Sequence, residues 1–319
     1  MDKSETNSKF HLPTTLLAFI GLVLLAGLNP VAIRLSNREL PPFWGAALRF
    51  CIAALVFWGI VVVRRIPLPR GRALLGAILY GMLGFGLFYG AVYWVLQRAH
   101  PSIAAVFLAM APLMTFFFAL LHRQEKFRWV GLIGLLISLG GFMFGLVGNL
   151  GAGSMGISIG LALLMLLGVS SQSYGAVVYK LFPRSHPFVV NALAMTTGAL
   201  MLLVMSLVAK ETWTLPRAPA TWVPFAYLTL LGSVVVFYLQ LYVLNRWTAT
   251  STSYANLLIP VITTIASALL IGELVTPRFV AGASIVLLGV WIGALAPFKR
   301  LPSPVQVPAL QVSEAGCQD

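Results

Sequence analysis

The chain has 319 residues, of which 59% are hydrophobic and 9% charged, and its formal net charge is +13. A soluble surface of ordinary charge density cannot be built from that composition, so the chain belongs in a bilayer. The basic residues lie in separate short loops, which excludes a nucleic-acid surface and points instead to topology and anionic headgroups.

In chain order, a short polar arm at 1–13 precedes ten apolar runs, each about the 20 residues needed to cross a hydrocarbon core. They lie at 16–36, 43–63, 74–96, 103–121, 129–148, 157–179, 188–208, 223–245, 253–271 and 279–298. None shows the alternation of a barrel strand, so all are read as helices. The first run has no small-x-small cleavage pattern and is read as a span, broken at Asn29 and Pro30, rather than as a removable leader. Residues 299–319, with Pro302, Pro304 and Pro308, form a disordered cytoplasmic tail. With the N-terminus cytoplasmic, that side collects fourteen of the 21 basic residues, including Arg64, Arg65, Arg70, Arg72, Arg123, Lys126, Arg128, Lys180, Arg184 and Arg246. Six fall on the other side and Arg49 lies within a span, so both termini are expected inside.

Shifted by 148 residues, the second half falls on the first without a gap. Val95, Leu96 and Arg98 land on Val243, Leu244 and Arg246, Pro112 on Pro260, Glu125 on Glu273, and Gly134, Gly141 and Gly145 on Gly282, Gly289 and Gly293. With only 8 acidic residues in the chain, a match of Glu on Glu in the same register as Pro and three Gly indicates duplication. The two copies are 14–148 and 157–298. Each holds five spans, an odd number, so the second enters the membrane from the opposite side. The expected architecture is an all-α membrane protein with ten transmembrane helices as two inverted five-helix repeats, the geometry of alternating access.

Several groups at depth are candidates for chemistry. Pro112 and Pro260 remove backbone donors and free the carbonyls of Leu108 and Asn256, as paired hinges, as half-helix ends at a binding site, or as static kinks. The amide of Asn29, beside Pro30, can bond a substrate or cap the break. Arg49 either anchors a substrate anion or ties helix ends together through carbonyls. Glu125 and Glu273 close spans four and nine on opposite faces, as gate ion pairs, as proton sites or simply as solvated carboxylates. In span three Phe85, Tyr89 and Tyr93 recur on one face, and Tyr238 and Tyr242 are taken as the matching stripe in span eight. Span six contributes Ser170, Ser171, Gln172, Ser173 and Tyr174, and span nine Ser253, Tyr254 and Asn256. Cys51 and Cys317 cannot form a disulfide framework or a metal site, and no cofactor is expected. No Asp, Glu or His lies within a span to relay protons, which favours a facilitator, an exchanger or sodium coordination by neutral oxygens. Nor do the spans supply the paired carboxylates or nucleophile-base pair of an intramembrane enzyme.

The stretch Leu258, Ile259, Pro260, Val261, then Gly272, Glu273, Leu274, Gly282, Ala283 and Gly289 resembles the end of an EamA repeat of the drug/metabolite transporter superfamily. The first copy carries Ala111, Pro112, Leu113, Glu125, Gly134 and Gly141, with Leu48, Arg49, Phe50, Ala53, Ala54 and Leu55 in its second span. The pattern departs at Ala26, where Trp is frequent, and at Gln124, where Gly usually precedes the Glu. The resemblance, to the bacterial ten-helix type, implies a central cavity, an inner-membrane location and movement of small metabolites, frequently the export of amino acids or related compounds. The cavity is expected to use Asn29, Arg49, Tyr89, Tyr93, Gln172, Tyr174, Tyr238, Tyr242 and Asn256, with Pro112, Pro260, Glu125 and Glu273 for gating. The partners are then the bilayer and a small solute, for a monomer or homodimer. A carrier of phosphorylated or nucleotide-linked sugars and a non-transporting scaffold or sensor are the alternatives.

Overall fold

The structure is a computed structural model that describes residues 3–97, 107–108, 110–127, 129–147, 159–271 and 277–295, with side chains from Thr14 onward except at 142, 145–147, 264, 267–271, 279, 283, 290 and 293–295. Glu273, Arg98, the connection between the copies and the C-terminal tail lie outside the described residues. Regular structure among those described is helical, without a strand. We number α1 (Lys3–Ser36), α2 (Pro42–Val63), α3 (Arg72–Leu96), α4 (Ala111–Leu121), α5 (Trp129–Val147), α6 (Ile159–Leu181), α7 (Pro187–Val208), α8 (Pro219–Leu244), α9 (Ala255–Ile271) and α10 (Pro277–Leu295). A single turn, Ala249–Ser253, precedes α9. Among the described residues six helices are long and apolar enough to cross a membrane: α1 over Thr14–Ser36, α2, α3, α6, α7 and α8. Their outward faces carry large apolar side chains such as Leu17, Val63, Ile159 and Val208, as lipid requires.

Local chemistry sets the helix ends. Pro42, Pro187 and Pro219 open α2, α7 and α8, where a missing N–H costs nothing. Three helices close in the same way, with a basic residue in the left-handed conformation just past the end: Arg65 (φ 49), Arg123 (φ 55) and Lys210 (φ 54). The next N–H reaches back into the helix in each case, from Ile66 to Val61 O (3.0 Å), Gln124 to Ala119 O (2.9 Å) and Glu211 to Ser206 O (3.0 Å). That backbone disfavours any side chain by about 1 kcal/mol, and a cation at the carbonyl end partly offsets it.

Packing follows the duplication. Helix α2 lies along α7 and α5 along α10, while α1 pairs with α9 as α4 does with α6. Likewise α3 packs on α7 as α8 does on α2, and α3 on α6 as α8 does on α1. Each contact thus has its counterpart five helices on. At the α5–α10 seam Gly289 approaches so closely that a Cβ would lie 2.5 Å from Ser138 N, and Ser138 donates to Gly134 O (2.9 Å). Gly134 and Gly289 are therefore seam residues, as is Gly141, where a Cβ would lie 2.9 Å from Val286 N.

The helix breaks differ from the sequence expectation. Pro30 does not break α1, which runs through it. Pro30 removes the helical donor of Ala26 O, and the carbonyls on either side of that one each accept from a side chain: Tyr227 Oη donates to Leu25 O (2.7 Å) and Thr263 Oγ1 to Gly27 O (2.7 Å). Residues 3–13, read as a polar arm, continue α1 as helix. Pro112 sits in the first turn of α4, just after a turn at Met110 that follows helical Phe107 and Leu108. Pro260 lies inside α9, and the interruption falls before that helix, at Tyr254.

Candidate functional site

Two interruptions shape the middle of the bundle. Met82–Leu87 in α3 and Leu230–Val235 in α8 are π-helical, at positions 148 residues apart. A π turn holds an extra residue and leaves carbonyls outside the normal ladder. Arg49 of α2 uses one of them. It is fully buried, its Nη2 donates to Gly232 O (2.9 Å), its Nε to Ser233 Oγ (2.6 Å) and its Nη1 to Tyr93 Oη (3.3 Å). Asn29 Nδ2 reaches the same Gly232 carbonyl at 3.3 Å, and Asn29 Oδ1 is buried without a hydrogen-bond partner. The guanidinium lies 5.0 Å from the Phe50 ring centre and 5.6 Å from that of Tyr89. No carboxylate is among these contacts, so neutral oxygens and ring faces satisfy the cation. Arg49 does not snorkel; it joins the first copy to the second.

Around it lies an aromatic cluster. Phe85 and Phe237 rings are 4.5 Å apart, Phe50 and Tyr89 4.9 Å, and Tyr89 and Phe237 6.1 Å. Tyr89 and Phe237 occupy equivalent positions of the two copies. The matching stripe of α8 is therefore carried by Phe237 and Leu241, both buried, rather than by Tyr238 and Tyr242. Tyr238 stacks on Phe188 at 4.9 Å, and Tyr242 lies 3.6 Å beneath Arg246. Tyr174 contacts Phe118 and His122 at the far end of α4, away from Arg49. Gln172 holds a buried Oε1 without a partner, and Asn256 is half-buried in the first turn of α9.

Fasteners hold both ends. Where α1, α2, α7 and α8 meet, Glu39 accepts from the N–H groups of Arg217 (2.8 Å) and Ala218 (3.3 Å), which begin the approach to α8. Those bonds, the Arg217 N–H above all, hold the Glu39 carboxyl below the ordinary carboxylate range. Glu211 accepts from the Phe43 and Trp44 N–H groups at the start of α2 (3.1 and 2.8 Å), while Trp44 stacks on Trp213 at 5.0 Å. At the opposite end Glu125 accepts from Thr250 N (3.2 Å), Gln124 Nε2 donates to Val177 O (2.8 Å), Lys180 to Trp247 O, and Tyr179 Oη to Asn245 Oδ1 (3.2 Å). All three described glutamates with side chains thus sit on helix N-termini of another element, where the dipole favours an anion. Among the described residues no group of three His, Cys, Asp or Glu comes together as a metal site.

A model of the EamA-like transporter family matches residues 13–146 and again residues 158–294. The chain belongs to the EamA-like transporter family. Its two copies of the EamA region are the two halves found by the 148-residue register. The EamA chain is 28% identical over 301 residues to the inner membrane transporter YedA of Escherichia coli (strain K12), covering 92% of this chain and 95% of that protein. It is 26% identical over 263 residues to the S-adenosylmethionine/S-adenosylhomocysteine transporter of Chlamydia trachomatis serovar L2, covering 78% of this chain and 79% of the relative. A crystal structure of another protein has the same fold, with a TM-score of 0.73 at 19% identity, covering 89% of this chain and 97% of that one.

Sequence reasoning brought Asn29, Arg49, Tyr89 and Tyr93 forward, and the structure gathers these four. It does not gather Tyr174, Tyr238 and Tyr242 with them. What it missed were Gly232 and Ser233, whose backbone and hydroxyl receive Arg49, and the capping role of Glu39 and Glu211. Gly84 on Gly232 in the 148-residue register was the available sign of the first.

Proposed function

We propose that this protein is an alternating-access transporter of ten spans in two inverted five-helix repeats. In this reading it lies in a bacterial inner membrane with both termini cytoplasmic and exports an amino acid or a related amphiphilic metabolite. The observation that carries the reading is the repeated family match in register with paired contacts between the halves, because equivalent elements on two sides of an axis can close a cavity from either side. The substrate class is supported by what surrounds Arg49. A buried cation without a carboxylate, beside an unpartnered amide oxygen and a set of aromatic rings, suits a carboxylate-bearing solute with a polar head and an apolar part. The Chlamydia relative is a transporter of S-adenosylmethionine and S-adenosylhomocysteine, amino-acid derivatives of that kind. Its three bonds support Arg49 first as a tie between the copies, with its charge acting on a carboxylate at longer range. Asn29, Tyr89, Tyr93, Gln172 and Asn256 would line the path. Pro112, Pro260, Glu125 and Glu273 would belong to the gates.

Flux in proteoliposomes tests this. Vesicles loaded in turn with radiolabelled amino acids and with S-adenosylmethionine should show saturable, protein-dependent counterflow with at least one of them. Counterflow of nucleotide-linked or phosphorylated sugars alone would replace the amino-acid reading, and no flux with any solute would replace transport by a scaffold or sensor role.

A further inference from the structure

The two π turns occupy the same six positions of the two copies, Met82–Leu87 and Leu230–Val235, and Gly84 and Gly232 are register mates within them. Recurrence of so uncommon a backbone at equivalent sites argues against a local accident, since π turns concentrate where a helix has work to do. Side chains from other helices hold both turns. Arg49 and Asn29 donate to Gly232 O, Arg49 also to Ser233 Oγ, and Ser171 Oγ of α6 donates to Leu83 O at 2.8 Å. Ser233 Oγ donates in turn to Leu228 O, five residues back, at 2.9 Å. Each turn sits between the end fasteners and beside Phe85, Tyr89 and Phe237. A helix that passes between π and α hydrogen bonding there rotates one end relative to the other while the fastened partners stay in place.

We propose that these π turns are the paired pivots of the transport cycle, with Arg49, Asn29 and Ser171 as positioning residues that hold their register. The proposal rests on the transporter reading and replaces the prolines as the main hinges: Pro112 opens a helix, whereas the π turns interrupt two continuous ones. The two-ended geometry is measurable without a substrate. Gln97 at the end of α3 and Trp222 near the start of α8 are exposed at one end of the bundle, where Phe43 stacks on Trp94 and Glu39 meets Arg217. Leu75 and Arg246 are exposed at the other, where Tyr179 meets Asn245.

Spin labels on Gln97 and Trp222, and separately on Leu75 and Arg246, in a Cys51→Ala, Cys317→Ser background in nanodiscs, would report each end by pulsed electron resonance. Deleting Met82 and Leu230, both on exposed faces and register mates, removes the extra residue of each π turn and leaves the flanking faces in register. The expected result is two distance populations at each end in the parent and one in the double deletion. Should the deletion fail to fold, Ser171→Ala keeps every helix register; it should change the population ratio roughly threefold, the ratio that one interhelical hydrogen bond of average strength supplies. Ser171→Thr should restore it. Distance distributions that coincide in the parent and in the variants that fold overturn the proposal. Because no substrate enters, this failure is separate from a failure of the flux assay.

Discussion

Arg49 shows what one buried cation does when no acid accompanies it. Its three bonds go to α3 and α8, so a side chain that keeps the charge but loses the planar fork should not replace it. Interhelical hydrogen bonds in membrane bundles contribute roughly 0.6 kcal/mol on average, so Arg49→Lys, which keeps one of the three, should lower stability by about 1–2 kcal/mol. Denaturant unfolding in detergent would measure this. If Arg49→Gln unfolds no more readily than the parent yet abolishes counterflow of carboxylated solutes, substrate binding is its main role and the tie is secondary. Glu39 makes a prediction about pH. Its folded-state carboxyl titrates below its usual value because backbone N–H groups of Arg217 and Ala218 favour the anion. A depressed carboxyl stabilises the fold fully above its unfolded pKa, and the contribution is lost as pH falls through the lower, folded value. Thermal stability of the parent should therefore fall more steeply than that of Glu39→Gln in the acid range below about pH 4.5. Parallel curves would mean that the contact is absent in solution.

At the scale of elements, the apolar runs predicted the long helices closely, because a span has to be continuous and apolar whatever its neighbours are. The breaks were less legible. A proline announces a missing donor, but whether the helix bends, starts or continues there depends on who satisfies the neighbouring carbonyls, and for Pro30 those partners are Tyr227 and Thr263, some 200 residues on. The π turns carry no proline and only two glycines in the first, Gly84 and Gly86, and one in the second, Gly232, so nothing in either segment alone marks them; the register between them does. The seam glycines were legible as a pattern and acquire a reason in the structure. A Cβ on Gly289 would lie 2.5 Å from Ser138 N and 2.6 Å from Gly134 O, backbone atoms that cannot swing aside. Gly289→Ala should destabilise by about 2 kcal/mol through overpacking. Gly59→Ala, with nothing within 4 Å of the added methyl, should instead stabilise α2 by up to about 1 kcal/mol. Equal melting temperatures for the two variants would contradict the close α5–α10 seam.

For the whole molecule, duplication was the most legible property, since it needs only identities at a constant offset, and the family match divides the chain at the same place. The fasteners at the two ends were not legible, because they depend on which loops meet. Glu39, Glu211 and Glu125 look like ordinary interfacial carboxylates until the helix N-termini they serve are placed beside them. They also give the molecule a direction: Glu39 and Glu211 close one end, Glu125 and Lys180 the other, and the basic loop residues crowd the second. If each copy crosses the membrane five times, the connection between copies must emerge on the face opposite to both termini. A reporter that is active only outside the cytoplasm, inserted between Leu150 and Gly151, should then be active, whereas the same reporter after Asp319 should be silent. A fluorescent protein that matures only in the cytoplasm should give the reverse at the same two sites. Agreement of all four readings requires an odd number of spans in the second copy and, through the duplication, in the first, and with it the inversion that alternating access needs. If both sites report the same face, the second copy crosses an even number of times, the short helices α9 and α10 cannot both span beside α6, α7 and α8, and the rocking cycle has no axis in the membrane plane.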